Sequence, residues 1–206
     1  MNIPILATIL VTLITATLPS QQVRGGADTE RQTSTVHIAS DITGTLAAVS
    51  IGYTAPTWRD GYDDMMQKLQ GSNYTRLGNG WWTSFDTIGP LQIGDIRVEA
   101  GSYYLGLSVA ADGTFSLLLF DSKATMKARL LPATTALYTG EARPDVRIPM
   151  NLAKDSLPEP ATKMQIEITA GAKNPSTGKL SIRWGKHELS APVEFRLGDA
   201  KDTPKK

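Results

Sequence analysis

Five side chains in the first half of the chain are of types suited to binding a small ligand: Trp58, Arg59, Arg76, Asn79 and Trp82. An arginine offers a planar fork of donors, an asparagine offers a donor and an acceptor, and a tryptophan offers a flat apolar platform. Such a set could stack on a sugar ring or a peptide and hydrogen-bond its polar groups. We therefore predict a ligand-binding cleft formed by these five residues.

The orientation of the adjacent tryptophans Trp81 and Trp82 follows from strand geometry, because neighbours on a strand face opposite sides. Trp82 is in phase with the polar Ser84 and Asp86, whereas Trp81 is in phase with Phe85. We therefore predict that Trp82 is exposed in the cleft and that Trp81 is buried. The alternative is that a helix or a proline-rich loop covers the outward ring, because large aromatic side chains are usually mostly buried.

Candidate catalytic or metal-binding groups are few. The sequence has no cysteine and two histidines, His37 and His187. A catalytic triad or a zinc site needs a histidine oriented by a partner, and neither histidine lies in a motif such as H-E-x-x-H that would supply one. We therefore predict surface positions for both histidines, no metal, no cofactor and no assigned catalytic residue.

Carboxylates are the remaining candidates for catalysis. Asp63 and Asp64 are adjacent, so they do not share a face of a helix, and we expect solvated helix charges there. Asp86 and Asp95 could form the paired acids of a carbohydrate hydrolase, which needs two carboxyl groups across a cleft. Nothing in their spacing favours that role, so the sequence leaves enzymatic activity open and inclines against it.

The composition fits one globular domain. The chain has 206 residues, of which 41% are hydrophobic and 20% charged, and a formal net charge of +1. A nearly neutral chain has no overall basic field, so we expect no nucleic-acid partner. The lack of cysteine removes disulfides and thiol chemistry, and in an exported protein it is more typical of bacteria than of small secreted animal domains.

The N-terminal segment predicts export to the periplasm or the cell exterior. Residues 1–22 carry no charge and are mostly apolar before a polar exit, as in a signal peptide, although an uncleaved anchor or a buried strand is the alternative. The apolar run is short for a membrane span, so we expect none after cleavage between Thr17 and Val23. The predicted remainder is a flexible lead-in at 23–35, a single β domain at 36–197 and a disordered tail at 198–206.

Alternation of apolar and polar residues predicts many strands. Period two recurs at 49–53, 103–109, 115–119, 164–168, 180–184 and 189–197. Turn-forming residues at 111–113, at 185–187 and at Gly94-Asp95 indicate hairpins. Short strands joined by local turns predict a mainly β fold, an antiparallel β-sandwich or barrel-like domain with one or two short helices.

Three segments depart from this pattern. Residues 60–70 have apolar side chains at helical spacing and predict a short helix. Residues 121–131 predict a second helix, which Asp121 or Ser122 could cap. The following stretch is rich in proline and predicts loop, with one short edge strand at 146–150.

The order of these pieces resembles a family of exported bacterial β proteins, domain of unknown function twenty-nine-eleven. The resemblance covers residues 48–197 and depends on four segments: 52–56, 76–79, 93–103 and the closing hairpin at 180–197. The chain departs from the family pattern in three ways: its 76–79 stretch is one residue shorter, Trp81-Trp82 replace an acidic residue, and Glu99 replaces a proline. The resemblance implies a fold and export, but no activity and no site residue.

These observations leave three functions open. The preferred one is a non-catalytic exported module that binds a small molecule, a glycan or an envelope protein through the five residues named above. The alternatives are an exported hydrolase acting on a carbohydrate or another envelope substrate, and a structural envelope protein. An aromatic concave patch would favour the first, facing carboxylates in a pocket the second, and a long free sheet edge the third.

Overall fold

The computed structural model describes residues 30–40, 44–64, 70–71, 75–130 and 143–197. Its strands are β1 (Arg31–Ser40), β2 (Gly44–Thr54), β3 (Thr75–Arg76), β4 (Ser84–Thr87), β5 (Leu91–Ile93), β6 (Ile96–Val98), β7 (Gly101–Val109), β8 (Phe115–Asp121), β9 (Val146–Leu152), β10 (Ala161–Ala170), β11 (Thr177–Gly185) and β12 (His187–Phe195). A helix, α1, covers Ser122–Lys127. The predicted signal peptide and the predicted C-terminal tail lie outside the described residues.

Alternating side chains explain why these segments form strands. In β2, Ala47, Val49, Ile51 and Tyr53 are buried, while the residues between them are only partly covered. Every second side chain of a strand faces the same side, so this pattern presents one apolar face to a core. The mainly β, antiparallel fold predicted from the sequence is confirmed.

The strands join into one sheet that curls into a nearly closed, barrel-like form. Their hydrogen-bonded order is β1-β2-β4-β7-β8-β9-β12-β11-β10, with β3 beside β7 and with β5 paired to both β12 and β6. The two ends of this order meet, because the backbone N–H of Ile168 in β10 donates to Oγ of Ser34 in β1 at 3.0 Å. Apolar side chains from both halves of the sheet fill the interior.

Strand β9 lies between β8 and β12 and so connects the two halves of the sheet. The strand predicted at 146–150 is present, but the prediction that it lies at an edge of the sheet is wrong. Residues 146–150 pair with β8, while Asn151 and Leu152 pair with Ser190 and Leu189 of β12. Pro149 falls where β9 has a partner only on the β8 side. Its missing N–H therefore costs no bond to β12, which explains why a proline is tolerated in a strand within the sheet.

The first strand begins earlier than the sequence predicts. Residues 31–35, assigned to a flexible lead-in, belong to β1 and pair with β2. None of these five side chains is apolar, so hydrophobic alternation gives no signal there. Arg31 helps to fix the strand, because its guanidinium donates to the carbonyl oxygen of Gly52 at 2.7 Å and to that of Trp82 at 3.2 Å.

The predicted turns and helix cap are present where they are described. Ile93 pairs with Ile96, which leaves Gly94 and Asp95 as a two-residue turn in which Gly94 has a φ of 58°. Asp121 caps α1, since its side chain accepts from the backbone N–H of Ala124 at 2.6 Å. Of the predicted helix at 60–70, residues 62–64 are helical and 65–69 lie outside the described part of the chain.

A second apolar cluster lies on the outer face of the sheet, and it overturns the prediction for Trp82. This outer cluster consists of Trp82, Leu118 and Phe120, with Tyr104 and Leu130 packed against it. Trp82 stacks on Tyr104 at 5.1 Å between ring centroids, and its indole N–H donates to the carbonyl oxygen of Leu130 at 3.2 Å. The ring is only 1% exposed, because the outer sheet face and the turn after α1 cover it.

Trp81 has the opposite environment from the one predicted. Its side chain is 44% exposed, whereas the sequence placed it in the core. Residues 77–83 precede β4 and form a bent loop, so strand alternation does not govern them. The alternation argument therefore chose the wrong member of the tryptophan pair.

Candidate functional site: a cavity at one end of the barrel

A cavity of about 520 Å³ opens at the end of the barrel where β2, β9 and β11 finish and β12 begins. This volume lies within the usual range for sites that bind small molecules, about 300–1,000 Å³. The cavity reaches into the barrel interior. Its floor consists of buried apolar residues from four strands: Leu107, Met164, Ile182 and Leu189.

Aromatic rings surround the cavity entrance. This mouth cluster consists of Trp58, Tyr62 and Trp184, together with the imidazole of His187. Trp58 and Trp184 meet edge to face at 5.1 Å, and Tyr62 and Trp184 lie 4.5 Å apart between centroids. All four side chains are only partly buried, so they present ring surface towards the opening.

A short backbone bridge positions Trp58 over the barrel. After β2 ends, the backbone N–H of Trp58 donates to the carbonyl oxygen of Thr162 at 2.7 Å, and that of Met164 donates to Pro56 at 3.0 Å. The indole N–H of Trp184 donates to the same Pro56 carbonyl at 3.1 Å. These bonds tie the segment after β2 to the start of β10, so they also help to close the barrel at this end.

Gly185 allows Trp58 to approach the sheet closely. A Cβ atom at this position would lie 2.5 Å from ring atoms of Trp58, a distance that real contacts do not reach. Gly185 also has a φ of 57°, in the left-handed region that favours glycine. The turn between β11 and β12 therefore requires glycine both for its backbone and for the ring packed on it.

An ionic contact fastens the helical turn at 62–64 to the β11–β12 turn. Oδ1 of Asp63 lies 2.7 Å from Nε2 of His187, and Oδ2 of Asp63 lies 3.1 Å from Nζ of Lys186. The hydrogen bond from His187, and then that from Lys186, lower the pKa of Asp63 below its ordinary value of 3.8. Both carboxylate oxygens of Asp63 are thus engaged by neighbouring cations or donors.

Residues 75–79 also line the cavity. The backbone N–H of Asn79 donates to the carbonyl oxygen of Thr54 at 3.0 Å, and Oγ1 of Thr83 donates to that of Leu77 at 2.7 Å. Gly78 has a φ of 86°, and a Cβ there would lie 2.7 Å from Oγ1 of Thr83. The loop is therefore pinned closely against the end of β2.

Two arginines at the cavity have no partner within the part of the chain that the structure describes. Arg59 is exposed and Arg76 is half-buried, and both belong to the lining. No hydrogen bond or ion pair joins either guanidinium to another described residue. Asn79 contributes a third polar group, and its Oδ1 accepts from the N–H of Gly80 at 2.9 Å.

The structure brings together four of the five residues that the sequence proposed for ligand binding. Trp58, Arg59, Arg76 and Asn79 line the same cavity. Trp82 does not belong to this set, because it is buried in the outer cluster.

Sequence reasoning missed the contributions of His187 and Asp63. Both were assigned to ordinary surface, but they contact each other across a separation of 124 residues in the chain. One signal was available for His187: it follows Trp184 in a turn, and an inward-facing ring followed by a turn lies at a barrel end. No sequence pattern connects Asp63 to that turn.

A smaller cavity of about 350 Å³ adjoins the first one. It shares Leu152 and His187 with the main cavity, and Asp63 and Lys186 also line it. The candidate catalytic acids lie elsewhere: neither Asp86 nor Asp95 lines either cavity. Asp86 accepts a hydrogen bond from Oγ of Ser102 at 2.6 Å.

Within residues 30–40, 44–64, 70–71, 75–130 and 143–197, no group of three or more histidine or acidic side chains could hold a metal ion. In the same ranges no helix has the length and apolar character needed to cross a membrane. Comparison with protein-family models, curated proteins and solved structures finds no significant match. The chemistry of the site therefore has to be derived from its own side chains.

Proposed function

We propose that this protein is a non-catalytic binding module that holds a small molecule in the cavity at the barrel end. The observation that carries the proposal is the cavity itself, which combines an apolar floor, an aromatic mouth and a few polar groups at the rim. That combination is typical of sites that bind small molecules. The rigid sheet beneath it supports a preformed site, which lowers the entropy cost of binding.

Binding is favoured over hydrolysis by the arrangement of the titratable groups. The Asp63–His187 pair is the best candidate for acid–base chemistry at the cavity. However, Nε2 of His187 is bonded to Asp63, and the imidazole ring packs against Trp58 at 5.8 Å between centroids. The pair thus fastens the mouth cluster in place. A glycoside hydrolase requires two carboxyl groups, and none of the described residues that line the main cavity carries one.

Export is part of the same proposal, as is the family resemblance that implies it. An exported binding module could serve as a carrier or receptor for molecules in the periplasm or outside the cell. N-terminal sequencing of the protein recovered from those fractions tests this step, with a start between Thr17 and Val23 expected. A cytoplasmic protein that retains Met1 would contradict it.

A neutral fluorescent probe tests the binding site directly. N-phenyl-1-naphthylamine is apolar and aromatic, and its emission rises on entering an apolar cavity. We expect saturable binding to the wild-type protein and a loss of affinity of about tenfold or more in Leu152→Trp, since one displaced aromatic contact is worth on the order of 1.4 kcal/mol. Leu152 lines the cavity and is 47% exposed, so a larger ring there should block the opening without disturbing the core.

The matched control is Ile88→Trp. Ile88 is 64% exposed and lines neither cavity, so this variant introduces the same ring elsewhere on the barrel. Its affinity for the probe should equal that of the wild type. Equal binding by all three proteins, or no binding by the wild type, would overturn the proposed site.

A further inference from the structure

The charged side chains among the described residues that line the main cavity are all cationic. Its described lining includes two arginines, Arg59 and Arg76, and no aspartate or glutamate. Neither guanidinium has a partner among the described residues. An arginine without a carboxylate partner at the rim of an apolar cavity can accept an anionic group of a ligand as a bidentate partner.

The carboxylate of Asp63 does not offset this positive character. Asp63 lies in the wall of the adjoining smaller cavity, where His187 and Lys186 hold both of its oxygens. The negative charge of Asp63 is therefore already balanced by these two groups. The arginines of the main cavity therefore keep their charge available for a ligand.

Asn79 adds a donor to the same rim. The N–H of Gly80 occupies its side-chain oxygen, which leaves the amide nitrogen as the group able to reach a ligand. A planar fork from each arginine and one amide donor suit an acidic head with several acceptor oxygens. A cationic ligand would meet the opposite situation, with two like charges and no counter-ion.

The rest of the cavity indicates what such a head group is attached to. Leu107, Met164, Ile182 and Leu189 give the floor no hydrogen-bonding side chain, so a polar body would lose its water contacts without replacement. Trp58 and Trp184 offer edges and faces of aromatic rings at the entrance. An apolar or aromatic body of a small ligand fits this surface.

We propose that the ligand is a small amphipathic anion, with a carboxylate or phosphate head held by Arg59 and Arg76 and an apolar body inside the barrel. This inference rests on the proposed binding function and adds its chemical class. It predicts that charge at the rim and apolar contact at the floor contribute to the affinity independently, so that a substitution can remove one contribution and leave the other. It also predicts weaker binding at high salt for charged ligands only.

Two related probes separate these terms. The compound 8-anilino-1-naphthalenesulfonate has the same aromatic skeleton as N-phenyl-1-naphthylamine with a sulfonate added. In Arg59→Gln/Arg76→Gln we expect the sulfonate probe to lose affinity by about tenfold or more, because its charge-assisted hydrogen bonds to the guanidinium groups are lost. The neutral probe should bind this variant within about twofold of the wild type, a difference of less than 1.4 kcal/mol.

Arg196→Gln is the matched control, because Arg196 follows the far end of β12 and donates to Oε1 of Gln92. It removes one exposed guanidinium without touching the cavity, and both probes should bind it as they bind the wild type. The single variants Arg59→Gln and Arg76→Gln show how the two arginines share the head group. Arg76 is opposite Gly106 in the pairing of β3 with β7, so its substitution displaces no cross-strand side chain.

The head group is identified by displacement of the neutral probe with decanol, decanoate and decyl phosphate. The inference is supported if decanoate or decyl phosphate displaces the probe at a concentration about tenfold below that of decanol, a difference in binding free energy of 1.4 kcal/mol. The one of the two that acts at the lower concentration identifies the head group. Equal displacement by all three, or an unchanged sulfonate affinity in the double variant, would overturn the anionic class while leaving the binding site intact. Failure of every probe to bind the wild type would overturn both proposals.

Discussion

Two aromatic clusters on this barrel are built from similar side chains but have different surroundings. The outer cluster places Trp82 flat against Tyr104, with an interplanar angle of 8°, and leaves the indole 1% exposed. The mouth cluster places Trp58 edge-on against Trp184 and leaves both rings half-buried beside a cavity of about 520 Å³. One cluster fills its space and the other borders an open one.

The difference comes from what lies over each cluster. The outer cluster is covered by the turn after α1, whose Leu130 carbonyl oxygen accepts the indole N–H of Trp82. The mouth cluster is held at its edges by hydrogen bonds to the carbonyl oxygens of Pro56 and Thr162, which position the rings without filling the space beneath them. An aromatic ring with a satisfied N–H can thus serve stability in one place and recognition in the other.

The largest expected effect separates the adjacent tryptophans Trp81 and Trp82, of which only Trp82 belongs to the outer cluster. Trp82→Ala should destabilise the protein by about 3–5 kcal/mol, as for other buried large aromatics, because it empties a filled site and leaves the carbonyl of Leu130 without its donor. Trp81→Ala is the control, since Trp81 is exposed, and it should change stability by no more than about 0.5 kcal/mol. Denaturant titration of both variants measures the difference in the free energy of unfolding. Equal stabilities would contradict the claim that the outer cluster stabilises the fold.

The next effect tests the support of the mouth cluster. Gly185→Ala should cost about 1–2 kcal/mol for a left-handed backbone and about 1–3 kcal/mol more for the clash with Trp58. Gly94→Ala is a close control, because Gly94 has a φ of 58° and no atom within 4 Å of a Cβ built there. It should show the backbone cost alone.

Probe binding adds a second readout to this pair of variants. Displacement of Trp58 in Gly185→Ala should alter the affinity for N-phenyl-1-naphthylamine, whereas Gly94→Ala should bind it normally. If the two variants unfold at the same denaturant concentration and bind equally, the packing of Trp58 on Gly185 contributes nothing.

The smallest effect concerns the contact that fastens the mouth cluster. The folded-state pKa of Asp63 is lowered by His187 and Lys186. A lowered pKa stabilises the fold above the ordinary value of 3.8, and that contribution is lost as the pH falls through the folded-state value. Asp63→Asn should therefore melt below the wild type at neutral pH, and the two melting curves should converge in acid.

Asp64→Asn provides the comparison for this prediction, because Asp64 is the exposed neighbour of Asp63 in the same helical turn. It should follow the wild type at every pH. A gap between wild type and Asp63→Asn that persists unchanged below pH 3.8 would show that the carboxylate contact is not its cause.

The sequence predicted the local elements well because each has a local cause. Strands β2, β7 and β10 follow from alternation along the chain, and the cap at Asp121 follows from one side chain and a nearby N–H. What the sequence could not show is what packs over a given face. Trp82 was expected to be exposed because its in-phase neighbours are polar, but its cover comes from Leu130, 48 residues later.

The site was predicted in part for the same reason. Trp58, Arg59, Arg76 and Asn79 could be proposed from residue type. The contact of Asp63 with His187 depends on the closure of the barrel, which brings the β11–β12 turn beneath the segment after β2. Closure is a long-range property, and no local pattern reports it.

The most direct test of the central claim is an indole N–H spectrum of ¹⁵N-labelled protein recorded during titration with N-phenyl-1-naphthylamine. The chain has four tryptophans, and each gives its own signal. The account predicts that the signals of Trp58 and Trp184 shift with the probe concentration while that of Trp82 stays in place. A shift of the Trp82 signal with those of Trp58 and Trp184 unmoved would contradict it.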